Sequence, residues 1–320
     1  MRCRIFAITI IQYYKLQQNY FGNYLYKLIK RKIFRVIIME QLNLFGGEEK
    51  KKSLGTTSID YTAASSILTK ASGFMEDYDF TLNPYSGCSF GCTYCYAAFF
   101  SRDKDKMDNW GKWLTVKDNA LALLMKYRKK PLYDKTIYLS SVTDPYQPIE
   151  KELELTRNIL KELIDYHKVR LVIQTRSALV TRDIDLFKKF ENIQVNMTVT
   201  TDSEKVRKVF EPYCTGNKQR LTAIKEVNQA GVQSCITMTP LLPVDDAYSF
   251  AKMVLDTGVK RFIIQPFHKD KGKFVAGTRA EAMSIINEYN WGDEEYKRVL
   301  GVMQKLIPNL GIGKTGFAPI

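Results

Sequence analysis

From Phe80 onward the chain alternates short apolar runs with stretches of helical period, and this alternation constrains the fold more than any other feature. Six runs have strand character: residues 79–82, 136–140, 170–174, 194–199, 235–239 and 262–265. Between them Leu153, Thr156, Leu160, Leu163 and Ile164 recur at helical spacing, and Leu221, Ile224 and Val227 do so ahead of Gly231, a helix stop. Asp245 is expected to cap a helix presenting Tyr248, Ala251, Val254 and Leu255 before Gly258. Strands separated by single helices pair in parallel through right-handed crossovers. The predicted class is therefore α/β. Six βα units are too few for a closed eightfold barrel but suit an incomplete (βα)6 barrel or an open sheet, and both put chemistry at the carboxyl ends of the strands.

With 320 residues, 45% hydrophobic and 26% charged, the chain has enough apolar material for a sizeable core, which excludes wholesale disorder. The longest clean apolar run near the start, residues 5–11, is too short to span a bilayer, so no stable membrane insertion is expected. The formal net charge is +14, and eight uncompensated Lys or Arg fall within residues 1–38, leaving +6 over the rest. So mild a surplus on the body argues little for a nucleic-acid surface. Residues 1–38 read as a basic extension, disordered or preceding a true start at Met39; an interfacial amphipathic helix is the other reading, and a secretory signal fits poorly because no small-residue cleavage site follows. Residues 39–70 read as an N-terminal segment and linker, with "GGEEKKKSLGT" as its polar part, and 71–320 as the barrel with C-terminal helices.

Of six cysteines, Cys88, Cys92 and Cys95 fall within eight residues, whereas Cys3, Cys214 and Cys235 are scattered. A disulfide framework wants spread, paired cysteines in a small secreted chain, so this pattern points to a metal or cluster in a reducing, cytoplasmic setting. Three thiolates on a loop loosened by Gly87 and Gly91 can wrap one face of a soft metal centre and leave one position open. A structural zinc site would close with a fourth ligand, for which Cys214, Cys235, His167 and His268 are available; an iron–sulfur cluster with three cysteines reserves one iron for something other than protein.

"CSFGCTYC" resembles the Cys-x3-Cys-x-aromatic-Cys signature of radical S-adenosylmethionine (SAM) enzymes. The stretches "NPYSGC", "CTYCYA", "VTDPYQPIE", "TRSALVTRDIDL" and "TVTTDSEKVRKVFEP" extend the resemblance over about residues 55–270, to the spore-photoproduct-lyase-like branch often labelled DNA repair photolyase. The resemblance implies an incomplete (βα)6 barrel and a [4Fe-4S] cluster held by Cys88, Cys92 and Cys95. It further implies SAM chelated at the fourth iron and a one-electron reductant such as flavodoxin or ferredoxin. SAM would be cleaved to a 5'-deoxyadenosyl radical that abstracts hydrogen from substrate, in the true lyase a thymine dimer in DNA. A cysteine after the second strand there returns a hydrogen atom; its counterpart here is Ser141, whose O–H bond is far too strong for that step. Two readings of other kinds stay open: a radical SAM enzyme acting on a protein or small molecule, and a zinc-stabilised nucleic-acid-binding protein.

By the same resemblance Tyr94 packs by the adenine, Thr143 and Asp144 hold the SAM amino group, Arg176 meets the SAM carboxylate or the cluster, and Thr198 or Thr200 bonds the ribose. Their ordinary alternatives are a loop aromatic, a Thr-Asp-Pro turn, a surface cation and a β-branched strand residue. Tyr146, able to pass a hydrogen atom, and Cys214, in a loop after "FEPY", are weaker catalytic candidates. Cys235 reads as a small buried thiol, His167 as a helix-end residue and Tyr96, Phe99 and Phe100 as core, while "HKDKGK" at 268–273 reads as a solvated run.

Overall fold

The computed structural model describes residues 50–268 and 278–320. The basic extension, the rest of the segment up to residue 49 and residues 269–273 of the charged run lie outside the described residues.

Among the described residues twelve strands form two sheets. The larger has the order β12-β11-β10-β9-β8-β7-β4-β3. Its parallel members are β4 (Phe80–Leu82), β7 (Tyr133–Leu139), β8 (Lys168–Thr175), β9 (Asn192–Thr198), β10 (Gln233–Met238), β11 (Arg261–Ile264) and β12 (Leu310–Ile312), while β3 (Leu68–Lys70) runs antiparallel to β4. All six predicted strands are present and adjacent. Since β3 and β12 stand at the two edges, the sheet is an open, incomplete barrel with one parallel strand beyond the predicted six. Helices Leu155–Tyr166, Asn217–Gln229 and Ala247–Leu255 supply the crossovers where the spacing put them, and Gly231 follows the second with φ +82°. The third is capped by Asp246, not Asp245: the Asp246 carboxylate accepts from the Ser249 amide at 2.6 Å, while the Asp245 amide donates to Asp202.

Successive strand residues face opposite ways, and the two faces differ in chemistry. Ile137, Leu139, Leu171, Ile173, Val195, Met197, Ile236 and Ile264 lie fully buried against the helices. Each such side chain contributes about 1.5–3 kcal/mol, so this layer dominates the stability of the body. The alternate residues line the concave side. At its amino end Tyr138, Val172, Cys235 and Ile263 pack with Tyr78 and Phe317 into an apolar floor. Above the floor the lining is polar: Tyr138 Oη donates to Gln174 Oε1 at 2.8 Å, and Gln174 Nε2 donates to Thr198 Oγ1 at 2.6 Å and Thr237 Oγ1 at 3.0 Å.

The second sheet, β1 (Ser53–Leu54), β2 (Thr57–Thr62), β6 (Trp113–Lys117) and β5 (Tyr85–Gly87), stands in that order, with β2 and β6 parallel. Residues 53–70, read from sequence as segment and linker, thus carry β1, β2 and β3. The small sheet matters for function because β5 runs directly into Cys88.

Candidate active site

The loop Cys88–Cys95 leaves β5 at the carboxyl end of the barrel. Gly87 (φ +76°) and Gly91 (φ +58°) give it the curl expected of them, and a Cβ on Gly87 would stand 2.7 Å from the Trp113 ring. The turns close through Gly91 N to Cys88 O at 3.3 Å and Cys95 N to Cys92 O at 3.1 Å. Cys88 and Cys92 are buried and Cys95 is half-buried. Burial, then the nearby Asp144 carboxylate, pushes the Cys88 thiol up; burial and then Cys92 push Cys95 up to about 11. Cys92 is lowered, first by the hydrogen bond from Cys214 and then, against burial, by Arg176. Bringing all three to thiolates calls for a coordinating cation.

Among the described residues no group of three or more His, Cys, Asp or Glu side chains is disposed to hold a metal ion. A [4Fe-4S] cluster takes one thiolate at each of three separate irons. The fourth zinc ligands considered above are dispersed. Cys235 lies in the barrel floor; His167 caps its helix and accepts from the Leu132 amide through Nδ1 at 3.2 Å; His268 is exposed. Cys214, in its loop as read from sequence, does approach, 3.5 Å from Cys92, and is buried. Three soft donors on one tight loop fit the cluster.

Around this loop the structure gathers most of the residues singled out by sequence. Thr143 Oγ1 donates to Gly87 O at 2.7 Å, fastening the end of β7 to the start of the cysteine loop. Asp144 is 3% exposed; it accepts from Thr175 Oγ1, Tyr146 N and Arg176 N, each at 2.8 Å, and burial still holds its carboxyl above the ordinary range. Arg176 reaches Tyr94 Oη through Nη2 at 3.2 Å, and its Nε is buried without a hydrogen-bond partner. Tyr94 in turn donates to Glu211 Oε1. Thr198 is a member of the polar lumen ladder, and Thr200 donates to Glu211 at 3.1 Å. Tyr146 stands apart: fully buried, its hydroxyl meets Asp183 in the helical layer at 3.1 Å.

Sequence reading missed Glu211 and Arg220, the centre of this network. Both are fully buried and paired at 2.5 Å, and Arg220 also donates to the carbonyls of Thr215 and Thr198. Burial pulls the Glu211 carboxyl up, but Arg220 and Arg176 outweigh it and hold it below the ordinary range. A signal was present: Arg220 is four residues before Ile224 and seven before Val227, a charge on the apolar face of a helix. Tyr96 and Phe100 are also corrected. They are 43% and 45% exposed, edge to face at 6.0 Å, because the short helix they start and end turns them outward; only Phe99 stays half-buried. Tyr96 donates to the carbonyl of Ser141, and Ser141 Oγ accepts from Asn83 Nδ2 at 3.3 Å. The backbone turns sharply there, with Ser140 at φ +73° and its hydroxyl buried and unpartnered.

A partial parallel barrel with a three-thiol loop beyond its first strand is the layout of an enzyme built around an iron–sulfur cluster. The sequence profile of the radical SAM superfamily matches residues 82–254, more than half of the chain, and the chain belongs to that superfamily. Its members use a [4Fe-4S] cluster with SAM and require an electron donor. An uncharacterized protein of Methanocaldococcus jannaschii is 39% identical over 164 residues, 51% of this chain and 61% of its own length, so the chain spans less than two thirds of that relative. One from Acidianus two-tailed virus is 26% identical over 242 residues, 69% of this chain and 76% of its own. Among solved structures, a spore photoproduct lyase variant with bound AdoMet and dinucleoside spore photoproduct superposes with a TM-score of 0.55 over 79% of this chain and 81% of that one. At 15% identity that likeness establishes the shared fold. Among the described residues no helix is long and apolar enough to cross a membrane.

Proposed function

We propose that Cys88, Cys92 and Cys95 hold the [4Fe-4S] cluster and that the chain abstracts hydrogen from its substrate by radical SAM chemistry, with damaged DNA as the first substrate class to try. The observation that carries this reading is the junction of three loop thiols with a buried guanidinium, Arg176, whose Nε has no hydrogen-bond partner, at the carboxyl ends of the barrel strands. When bound, cluster and SAM supply a one-electron cleavage whose product, the 5'-deoxyadenosyl radical, takes hydrogen from substrate. The chain's own residues do the rest. Arg176 offers a charged donor to the SAM carboxylate and is oriented by Tyr94 and Glu211. Asp144, held by three donors, and Thr143 supply oxygens toward the SAM amino group. Tyr94 walls the adenine side, Thr198 or Thr200 meets the ribose, and the floor under Tyr138 excludes water from below. A cytoplasmic setting, with flavodoxin or ferredoxin as reductant, goes with the free thiols.

Ser141 argues against the lyase's own thiol-terminated reaction. Its hydroxyl occupies the position where the resemblance expects an S–H donor, and neither Tyr146, bonded to Asp183, nor Cys235, in the floor, replaces it. The test is anaerobic reconstitution with iron and sulfide, addition of SAM and a strong reductant, and quantification of 5'-deoxyadenosine beside a Cys88→Ala control. Product from the wild type alone supports the reading and makes ultraviolet-damaged DNA the first substrate assay. A colourless zinc protein that leaves SAM intact overturns it.

A further inference from the structure

A second nucleophile stands against the cysteine loop and has no part in the proposed reaction. Cys214 Sγ lies 3.5 Å from Cys92 Sγ, with the residues 8% and 4% exposed. Backbone contacts hold the two segments together. The amide and hydroxyl of Thr93 both donate to the Phe210 carbonyl, at 2.9 and 3.3 Å, and within the second segment Arg207 Nη1 fixes the turn that carries Cys214 by donating to the carbonyls of Glu211 and Cys214, at 2.9 and 3.2 Å. A disulfide has its sulfurs about 2.05 Å apart, so from 3.5 Å the bond requires about 1.5 Å of approach.

We infer that Cys92 and Cys214 are a redox modification site: in the cluster-free chain hydrogen peroxide joins them as a disulfide, which withdraws Cys92 from the loop until a thiol reductant restores it. The inference rests on the reading of Cys92 as a cluster ligand. In the first step the Cys92 sulfur attacks one peroxide oxygen, the O–O bond breaks, and water leaves behind a sulfenic acid. The Cys214 sulfur then displaces the hydroxyl group, the S–S bond forms, and a second water carries off the remaining protons. Two thiols are oxidised by two electrons and one peroxide is reduced to two waters. Because the resolving thiol is already in contact, disulfide formation outruns further oxidation of Cys92 to sulfinic acid, which thiol reductants do not reverse. The buried pair thereby protects a ligand that an exposed loop would lose.

The experiment uses the full chain prepared without iron and treated anaerobically with one equivalent of hydrogen peroxide. Free thiol should fall from six to four per chain, and peptide mapping should join the Cys92 and Cys214 fragments. Iron and sulfide uptake should be lost and then recovered with dithiothreitol. Given excess peroxide, because the step from sulfenic to sulfinic acid consumes a second equivalent, Cys214→Ala and Cys214→Ser should instead accumulate sulfinic acid at Cys92, with uptake that dithiothreitol does not restore, while the wild type under the same excess keeps its disulfide; two variants guard against a packing defect in one. Absence of the linked peptide, or linkage of Cys92 to Cys88 or Cys95, overturns the inference whatever the iron content. A Cys92–Cys214 disulfide that leaves uptake unchanged also overturns the lock and places the fault in the ligand assignment of Cys92.

Discussion

Glu211 and Arg220 face each other without solvent, and what each costs depends on the other. Removing one partner of a buried ion pair strands the other charge, at a cost of about 3–5 kcal/mol, whereas replacing both with apolar groups is much milder. Arg220→Met should therefore lower the unfolding free energy by about that amount, and the double variant with Glu211→Met should recover part of it in a urea double-mutant cycle. Additive losses would mean that Tyr94, Thr200 and Arg176 already satisfy the carboxylate. Arg176 is mostly buried and its ion pair with Glu211 is looser, at 3.6 Å, than that of Arg220, so its removal should cost less stability than the loss of Arg220. Arg176→Gln should weaken SAM binding about ten- to hundred-fold, the value of a hydrogen bond to a charged group, in a calorimetric titration of reconstituted protein. An unchanged affinity would return Arg176 to a purely structural part. At this scale the three cysteines were legible because their spacing is local. Glu211 with Arg220, and Cys214 with Cys92, were not, because each pair comes from segments that meet only after folding.

One contact between elements decides whether the cysteine loop can take its shape. A Cβ on Gly111 would stand 2.7 Å from the Gly91 Cα, and Gly111 has φ +99°, which L side chains rarely adopt. Gly111, at the turn into β6, is thus a template for the loop opposite. Gly111→Ala is expected to keep the far-UV circular dichroism of the wild type while reconstituted iron per chain falls at least severalfold; full iron loading would show that the loop forms without this template. The elements themselves were unequally readable. The central strands are apolar on the face against the helices and carry apolar residues among the polar ones on the other, so runs such as "LVIQT" in β8 stand out. β2, "TSIDYT", alternates buried and exposed positions with polar residues and shows no apolar run; β12, "LGI", is too short to register. Thr57, just past the polar stretch "GGEEKKKSLGT", is tied in by a contact that no local pattern reveals: its hydroxyl donates to Gly111 O at 2.8 Å, a partner 54 residues away.

At the scale of the whole molecule the small sheet and the barrel meet through Glu150. Its fully buried carboxylate accepts from the Tyr85 hydroxyl of β5 and from the Thr156 amide at 2.7 Å, and pairs with Arg182 at 3.2 Å. Burial raises the carboxyl from its ordinary 4.5 to about 7, against the pull of Tyr85, Thr156 and Arg182. The sign follows from linkage: the folded chain holds the proton more tightly than the unfolded one, so this stabilisation is complete below about pH 4.5 and is lost as pH rises through about 7. Between pH 5.5 and 8.5 the loss is about 2 kcal/mol at 1.36 kcal/mol per pH unit. Other carboxylates, such as Glu211, titrate in the opposite sense, so the total profile does not isolate the effect. The difference between wild type and Glu150→Gln does, because glutamine keeps the acceptor oxygen and cannot ionise. Urea titrations of both proteins should show the wild type losing its relative advantage by about 2 kcal/mol across that window. A flat difference would mean that Arg182 keeps Glu150 ionised throughout, with the joint between the sheets then held by charge rather than by a shared proton.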